Sequence, residues 1–459
     1  MSKLSHLDIS ERKVLLRVVD VFLYILSLYV GVKFSVFTNV DFSKSELTIW
    51  MITFIIYSLL FGEIFQLYNL EVSNNRFKVV RSIFLTTFLT TFFYFITPFI
   101  TPSLPGSRIE IFYFFLFISF PVILWRFAYL ALFYAPKYFK NILIVGHSEK
   151  IKTLLYLIRE KGFHHVQFYL SDERIDGFNG FKDVRSNKLS VLGLNSSISE
   201  VIVSNENLEK SSVSRLNKEI ISLYKKGVDI KSFDDFYEEI TERIPRSYLD
   251  IDFYTKMKFS RNNENRFYLF SIRFLEVILS IVGLIFFILF LPFICLGNIL
   301  ANRGPLFYTQ VRVGKKGRDF KIHKLRTMIK NAERNGAVWS TSDDHRITFF
   351  GRFLRSTRLD EVPQFFNILK GEMSLIGPRP ERPQFVKYLE EEIPYYAIRH
   401  VIKPGLTGWA QVNYPYANTM KEQEIKLRYD LFYIKERNFF LDFKIFIKTI
   451  TTVLFFKGQ

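Results

Sequence analysis

Apolar residues dominate the first 133 positions in four long runs, near Val14–Val36, Leu47–Leu67, Ile83–Ile100 and Ile109–Phe133. Each approaches the roughly 20 residues that a helix needs to cross a bilayer. A soluble core helix would carry a polar face at helical spacing. The stretch from Phe84 to Ile100 offers only threonines and one proline instead. The pattern predicts a four-helix membrane bundle over 1–138. From 139 to 257 it changes to short apolar strands alternating with amphipathic helices. Strands are expected at Ile142–Val145, at Val166–Leu170 ending at Asp172, at Val201–Val203 and at Val228–Ile230. A helix is expected to run to Glu160, and another over Val213–Lys226 with Leu216, Ile220 and Leu223 on one face. That alternation predicts a small parallel α/β domain of Rossmann-like type. The polar stretch from Asp250 to Asn265 reads as a linker, with 258–271 joining this domain to the next membrane element.

A fifth apolar run, Val277–Leu300, contains Pro292. A mid-helix proline costs about 3 kcal/mol unless a kink absorbs it. Basic residues flank both ends: Arg266 and Arg273 before, and Arg303, Arg312, Lys315 and Lys316 after. Such symmetry disfavours a simple crossing. The expectation is a re-entrant helical hairpin over 272–301, bent near Pro292, with both ends on one side. Residues 302–459 follow as a mainly helical, membrane-associated domain. Near its end Phe439–Phe456 is apolar, with Lys444 and Lys448 one turn apart, which suits an interfacial helix or a buried core helix.

Composition sharpens the membrane reading. The 459 residues are 49% hydrophobic and include 52 Phe against 21 Gly and 15 Pro, which is too apolar for an ordinary soluble protein of this length. Lys3, Arg12, Lys13, Arg76, Lys78, Arg81, Lys137 and Lys140 fall on one side of the four runs, with Lys44 and Arg108 on the other. The positive-inside rule places both ends of the bundle in the cytoplasm. Arg17, Asp20 and Arg126 interrupt the runs and are expected to pair within the bundle or to snorkel. The first run is long enough to span, so no short cleavable signal is expected. The net charge of +18 fits an anionic membrane face and phosphate-bearing substrates. No nucleic-acid-reading motif accompanies it. A single cysteine, Cys295, allows neither a disulfide framework nor a cysteine metal site.

The candidate chemistry lies between Arg352 and Arg382. Asp360 and Glu361 follow Arg352, Arg355 and Arg358, and Pro378-Arg379-Pro380 precedes Arg382. Ser356 and Thr357 are good N-cap types, and Pro363 suits a first helical turn. This places the acidic pair at the start of a helix that runs through Phe366, Ile368 and Leu369 to a stop at Gly371. A carboxylate in that position is expected to stay ionised, as a nucleophile or metal ligand requires. The arginines can grip phosphate oxygens in bidentate fashion. The plain alternative is an acidic pair complementing the helix dipole beside a solvated basic face.

This stretch resembles the catalytic centre of bacterial polyprenyl-phosphate sugar-1-phosphate transferases, the monotopic phosphoglycosyl transferases. The resemblance rests on Asp360-Glu361, Asn367, Lys370-Gly371, Met373-Ser374 and Gly377 to Pro380. It extends to Thr309–Gly314, His323–Met328, Arg399-His400 and Lys403–Val412. It implies transfer of a sugar 1-phosphate from a UDP-sugar to undecaprenyl phosphate, with release of UMP. Such a step initiates exopolysaccharide, capsule, O-antigen or glycoconjugate assembly at the bacterial inner membrane. The resemblance gives Asp360 the role of nucleophile and Glu361 that of Mg²⁺ ligand. Lys324, Arg355 and Arg379 align with basic residues around the phosphates, and Arg326 is counted with them. The α/β domain looks like the nucleotide-binding-like domain of the large family members. Its Gly146–Lys150 loop lacks G-x-G-x-x-G, so a regulatory or oligomerising role, with a possible homodimer, is expected. His345 stands where the family usually has proline.

Two other readings are compatible with parts of the chain. A membrane-anchored nucleotide-sugar dehydratase would need a glycine-rich loop and a Tyr-x-x-x-Lys pair. Tyr254 and Lys258 have that spacing, but they lie in the polar linker. A non-catalytic scaffold for polysaccharide assembly would retain the fold without needing the acidic pair or the Pro-Arg-Pro loop.

Overall fold

A computed structural model describes residues 9–33, 47–69, 76–102, 105, 107–133, 140–161, 164–183, 198–204, 210–249, 253–330, 332, 344–414 and 417–454. The expected ends Val36 and Phe456, the flanking Lys3, Lys44 and Lys137, and residues 184–197 lie outside these. The chain forms two compact units, Met1–Phe236 and Tyr237–Gln459.

The first unit begins with four apolar helices: α1 (Ile9–Lys33), α2 (Leu47–Ile64), α3 (Arg76–Ile96) and α4 (Arg108–Phe133). Aromatic rings fill their interior. Phe54 meets Tyr24, Tyr94 and Phe114 edge-on at centroid distances of 5.7, 5.1 and 6.0 Å. The threonines of α3 are its packing face: Thr86, Thr87, Thr90 and Thr91 are buried. The Thr87 hydroxyl bonds back to the Ile83 carbonyl at 2.8 Å and accepts from Ser119 of α4 at 2.9 Å. Small polar residues let apolar helices approach while keeping their own hydrogen bonds. Phe22, Ile56, Phe88 and Phe120 point outward, so the helices are apolar on the outside too. The charges that interrupt the runs pair as expected. Asp20 is buried against Arg126, and Arg17 meets Glu63 at 2.5 Å. The segments Glu11–Gly31, Phe77–Ile96 and Arg108–Ala131 are long and apolar enough to cross a membrane. The second expected span falls short, its apolar helix covering Thr48–Ile64 before a turn at 65–68.

The α/β part has five parallel strands in the order β3-β2-β1-β4-β5: β1 (Lys140–Val145), β2 (His164–Ser171), β3 (Phe181–Asp183), β4 (Glu200–Val203) and β5 (Asp229–Ser232). Helices α5 (Ser148–Lys161) and α6 (Lys210–Tyr224) connect them. β1 is central and its Ile142–Val145 stretch is buried, as its continuous apolar run requires. At the first βα turn the Ser148 N–H donates to the Asp172 carboxylate at 2.8 Å, and His147 lies 3.2 Å from the same side chain. The chain's own carboxylate thus sits at the helix start, where a dinucleotide fold would hold pyrophosphate.

In the second unit the expected linker is not free-standing. Phe253 and Met257 are buried in one core with Trp409, Leu427 and Leu431. The Ser260 hydroxyl donates to the Arg437 carbonyl at 2.7 Å, and Asn263 to the Ile434 carbonyl at 2.8 Å. Residues 237–257, read from sequence as the end of the α/β domain, pack here as well, through Ile244, Tyr248 and Leu249. After helices α7 (Phe233–Thr241) and α8 (Phe253–Lys256) comes α9 (Arg266–Gly297), the fourth helix long and apolar enough to cross. It runs on through Pro292 into a π turn, Asn298–Asn302, and stops at Arg303, whose φ of 47° is left-handed. One stripe of α9 is buried. A Cβ on Gly283 would lie 2.5 Å from the Phe365 ring, and one on Gly297 would lie 2.4 Å from Phe350. Phe287 and Ile294 continue that stripe against Leu325 and Leu354. The remaining faces expose Phe274, Ile285, Phe286, Leu289 and Phe293.

The rest of the unit comprises the antiparallel hairpin β6 (Phe307–Val313) and β7 (Asp319–Leu325), helices α10 (Phe349–Ser356) and α11 (Phe365–Lys370), and the parallel pair β8 (Ser374–Ile376) and β9 (Gly405–Thr407). Helices α12 (Pro383–Glu392), α13 (Trp409–Asn413), α14 (Met420–Glu436) and α15 (Phe439–Leu454) complete it. α15 buries Ile445 and Ile447 and leaves Phe440 and Phe443 exposed. Its Lys444 and Lys448 ammoniums lie 4.9 and 4.5 Å from the centre of the buried Trp409 ring. Trp409 is therefore a core residue.

Candidate active site

The acidic pair does not start an α-helix. α10 ends at Ser356, and the hydroxyls of Ser356 and Thr357 bond back to the Phe353 carbonyl instead of capping the next element. Arg358 then takes a left-handed φ of 58°, and Leu359–Gln364 form 3₁₀ turns before α11 begins. Left-handed backbone at a non-glycine residue costs of order 1 kcal/mol and collects at functional sites. Here it reverses the chain so that Asp360 and Glu361 turn inward. Gly371, with φ 83°, ends α11 as expected. Asn367 anchors that helix to the hairpin: it accepts from the His323 N–H at 3.1 Å and donates to the Lys321 carbonyl at 2.7 Å.

Both carboxylates are buried, at 8% and 7% exposure. Glu361 is surrounded by cations. Lys324 Nζ lies 2.8 Å and Arg379 3.1 Å from Oε1, and Arg358 lies 3.7 Å from Oε2. Burial works against the Glu361 charge, but Lys324, Arg379 and Arg358 outweigh it and hold its pKa well below the ordinary value. Burial and the neighbouring Glu361 raise Asp360, with Lys324, Arg355 and Arg358 opposing them. The two carboxyls are thereby pushed apart. Asp360 Oδ1 is buried without a hydrogen-bond partner. An unspent carboxylate oxygen suits a nucleophile and is costly otherwise.

The basic residues expected around the pair divide into two sets. Lys324, on β7, and Arg379 converge on Glu361. Arg355 donates to the Thr327 hydroxyl at 3.0 Å, and its charge acts on Asp360. Arg326 does not join them. Its guanidinium donates to the carbonyls of Pro305, Met328 and Asn302 at 2.8, 3.2 and 3.0 Å. It ties the end of α9 to β7 by satisfying carbonyls that a helix end leaves open. Arg352 is exposed, and Arg382 lies over the Phe385 ring.

The Pro-Arg-Pro loop is held from behind. Gly377 donates to the Thr407 carbonyl and Gly405 to the Pro378 carbonyl, each at 2.9 Å. The backbones come so close that a Cβ on Gly405 would lie 2.1 Å from the Gly377 nitrogen. This explains why two distant glycine motifs occur together. Arg399 donates to the Arg379 carbonyl at 3.0 Å and pairs with Asp430 at 2.8 Å. Glu381 pairs with Lys426 at 2.7 Å and with Arg312 at 3.6 Å, and Arg312 also donates to the Pro380 carbonyl. Burial lowers the pKa of His400 to about 4, with the Arg399 charge adding to the effect, so the ring is neutral at pH 7. Sequence reasoning missed Arg358 as a partner of Glu361, although its i,i+3 spacing is the available signal. It also missed Glu381 and Glu276. Glu276 of α9 accepts from the Ser374 hydroxyl and from the Leu375 N–H.

Two carboxylates, one with a buried unpartnered oxygen, meet what Mg²⁺ takes from protein when phosphates and water complete its shell. The unpartnered oxygen belongs to Asp360, and Glu361, the expected ligand, would have to exchange Lys324, Arg379 or Arg358 for the ion. Among the described residues no group of three or more His, Cys, Asp or Glu side chains forms a denser site. Tyr254, the residue of interest for a dehydratase, is exposed on α8.

The sequence pattern of one family, described as bacterial sugar transferase, matches residues 267–456. A UDP-N-acetylgalactosamine-undecaprenyl-phosphate N-acetylgalactosaminephosphotransferase of Aeromonas hydrophila is 48% identical over 155 residues, covering 34% of this chain and 37% of its own length. A UDP-glucose:undecaprenyl-phosphate glucose-1-phosphate transferase of Xanthomonas campestris is 42% identical, covering 35% and 34%. The match thus spans about a third of these two relatives. A Bacillus subtilis protein, provisionally named an undecaprenyl-phosphate N-acetylgalactosaminyl 1-phosphate transferase, is 45% identical over 144 residues, which is 31% of this chain and 79% of that protein. With the acidic pair, the Pro-Arg-Pro loop and the glycine motifs in one buried cluster, the chain belongs to the bacterial sugar transferase family, that of the polyprenyl-phosphate sugar-1-phosphate transferases.

Proposed function

We propose that this chain transfers a sugar 1-phosphate from a UDP-sugar to undecaprenyl phosphate and releases UMP. The observation that carries the reading is the buried, unpartnered Asp360 oxygen beside a Glu361 charge held by Lys324 and Arg379. In the first half-reaction Asp360 Oδ1 attacks the sugar-side phosphorus. The bond from that phosphorus to the bridging oxygen breaks, and UMP leaves with the electron pair. In the second, an oxygen of the lipid phosphate attacks the aspartyl-phosphosugar and the Asp360 carboxylate departs unchanged. Splitting the transfer avoids direct approach of two anionic substrates. Lys324, Arg355 and Arg379 offset phosphate charge as it shifts between oxygens. Mg²⁺, when bound, supplies further charge neutralisation at the diphosphate.

The reading extends to topology. The catalytic unit faces the cytoplasm of a bacterial inner membrane, with α9 entering and leaving the same leaflet. Support comes from contacts at both ends of α9. Arg273 donates to the Ile368 and Leu369 carbonyls, and Asn302 to the Arg326 carbonyl at 3.1 Å. A cysteine placed near Arg318, with Cys295 replaced, should resist a membrane-impermeant tag in intact cells. Labelling from outside would reject this topology. For the chemistry, purified protein given a panel of UDP-sugars without lipid should release UMP from one of them, and Asp360→Asn should not. The relatives named for glucose and for N-acetylgalactosamine make both worth including. A scaffold would release none, and a keto-sugar formed with NAD would favour the dehydratase.

A further inference from the structure

Beside Glu361 lies a cavity of about 500 Å³ whose walls come from α9, α11, α15 and the β8–β9 region. Its lining is mostly apolar. α9 contributes Leu275 and Leu279, both of which are also exposed on the helix face that a bilayer would cover. α15 contributes Phe443, Phe446 and Val453, which share one helical face. The volume falls in the range of small-ligand sites, in which apolar walls hold a body and a few polar groups fix one end.

The polar groups are unevenly placed. Arg437 and Asp442 share partners: Asp442 accepts from the Tyr433 and Tyr268 hydroxyls, and Arg437 lies over both rings. The wall also holds Arg358 beside Glu361, and Glu276, whose carboxylate accepts from the Ser374 hydroxyl and the Leu375 N–H. Of the cations within 4 Å of Glu361, Arg358 lines this cavity, whereas Lys324 and Arg379 approach the opposite carboxylate oxygen. The pocket therefore has an apolar body along a membrane helix, with the Arg358–Glu361 pair in its wall next to the Asp360 position, and its other carboxylates, Glu276 and Asp442, already accept hydrogen bonds from Ser374, Leu375 and Tyr433.

We propose that the cavity seats the first isoprene units of the acceptor and delivers its phosphate to Arg358 on the Oε2 side of Glu361, while the nucleotide-borne phosphates use the Lys324 and Arg379 side. This rests on the transferase reading above and adds to it where the lipid enters and which arginine meets it. Two anions that must react in turn then never compete for one cation cluster. The isoprenoid chain leaves the pocket past Leu275 and Leu279 into the bilayer.

The test uses the full chain in nanodiscs and a farnesyl phosphate carrying a diazirine at its distal end. Irradiation should label peptides containing 275–279 and 443–453. Excess undecaprenyl phosphate should suppress the label at least tenfold, and the same concentration of phosphatidic acid should not. Leu279→Trp and Val453→Trp, which fill the cavity, should each reduce labelling at least fivefold. Label confined to other peptides, equal competition by phosphatidic acid, or undiminished labelling of both tryptophan variants would overturn the assignment. Isotope exchange between UMP and UDP-sugar in the unmodified chain reports the first half-reaction separately. Its absence would remove the transferase reading, while the labelling map still judges the cavity.

Discussion

Glu381 stands behind the Pro378-Arg379-Pro380 loop, and neutralising it tests whether buried charge presents Arg379. Glu381→Gln replaces the carboxylate that meets Lys426 at 2.7 Å and Arg312 at 3.6 Å. Removing one partner of a buried ion pair costs about 3–5 kcal/mol, because the other charge stays buried uncompensated. The residue's own titration gives a second figure. Burial would raise its pKa, yet Lys426, Arg399 and Arg312 bring it down to about 2 from the ordinary 4.5. At about 1.4 kcal/mol per tenfold, that is roughly 3 kcal/mol, in line with the first figure. The sign follows from the depressed value. The stabilisation is fully present above pH 4.5 and is lost as pH falls through 2. The variant should therefore be less stable by about 3 kcal/mol at pH 7, with the gap narrowing below pH 4.5. Urea unfolding of the solubilised full chain, read by pulse proteolysis at pH 7, 5 and 3.5, measures both. A variant as stable as the parent at pH 7, or a gap that widens on acidification, would refute the reasoning.

Three further outcomes follow from the same packing. Gly405→Ala puts a methyl 2.1 Å from the Gly377 nitrogen, so it should lose UMP release and destabilise the unit by about 1–3 kcal/mol. Circular dichroism melts and the release assay check this together. Arg326→Gln should lower the melting temperature through its three lost carbonyl contacts, yet leave KM for the UDP-sugar within threefold at a permissive temperature. A tenfold rise in KM without destabilisation would return Arg326 to the phosphates. Gly283→Leu would drive a side chain into Phe365, and increased protease sensitivity of α11 is the expected readout.

The membrane helices, the α/β alternation and the acidic pair were legible because each is written in local spacing. Features set by distant contacts were not. Arg326 and Lys324 alternate along one segment, and nothing in that spacing says that one guanidinium will be taken by the carbonyls of Asn302, Pro305 and Met328. Ser356 and Thr357 have the right chemistry for an N-cap. The left-handed turn at Arg358 nevertheless makes them the end of α10. Phe253 and Met257 are four apart, but within a polar stretch the pair is too sparse to predict burial. β3 spans only Phe181–Asp183 and has too few residues to show alternation. Pro292 lies inside α9, which stays helical through it to Gly297, so the proline does not mark the end of an element. The glycines at 377 and 405 were readable as motif letters, but their reason, the backbone contact between them, is visible only in three dimensions.

The central claim is that position 360 carries the sugar phosphate between the two substrates. Incubating the purified chain with its UDP-sugar in the absence of lipid, quenching in acid and digesting it puts that claim to mass spectrometry. The account predicts that the peptide bearing Asp360 gains the mass of one sugar phosphate, and that undecaprenyl phosphate added before the quench removes it. UMP release with no such adduct on that peptide, under conditions that preserve acyl phosphates, would contradict it.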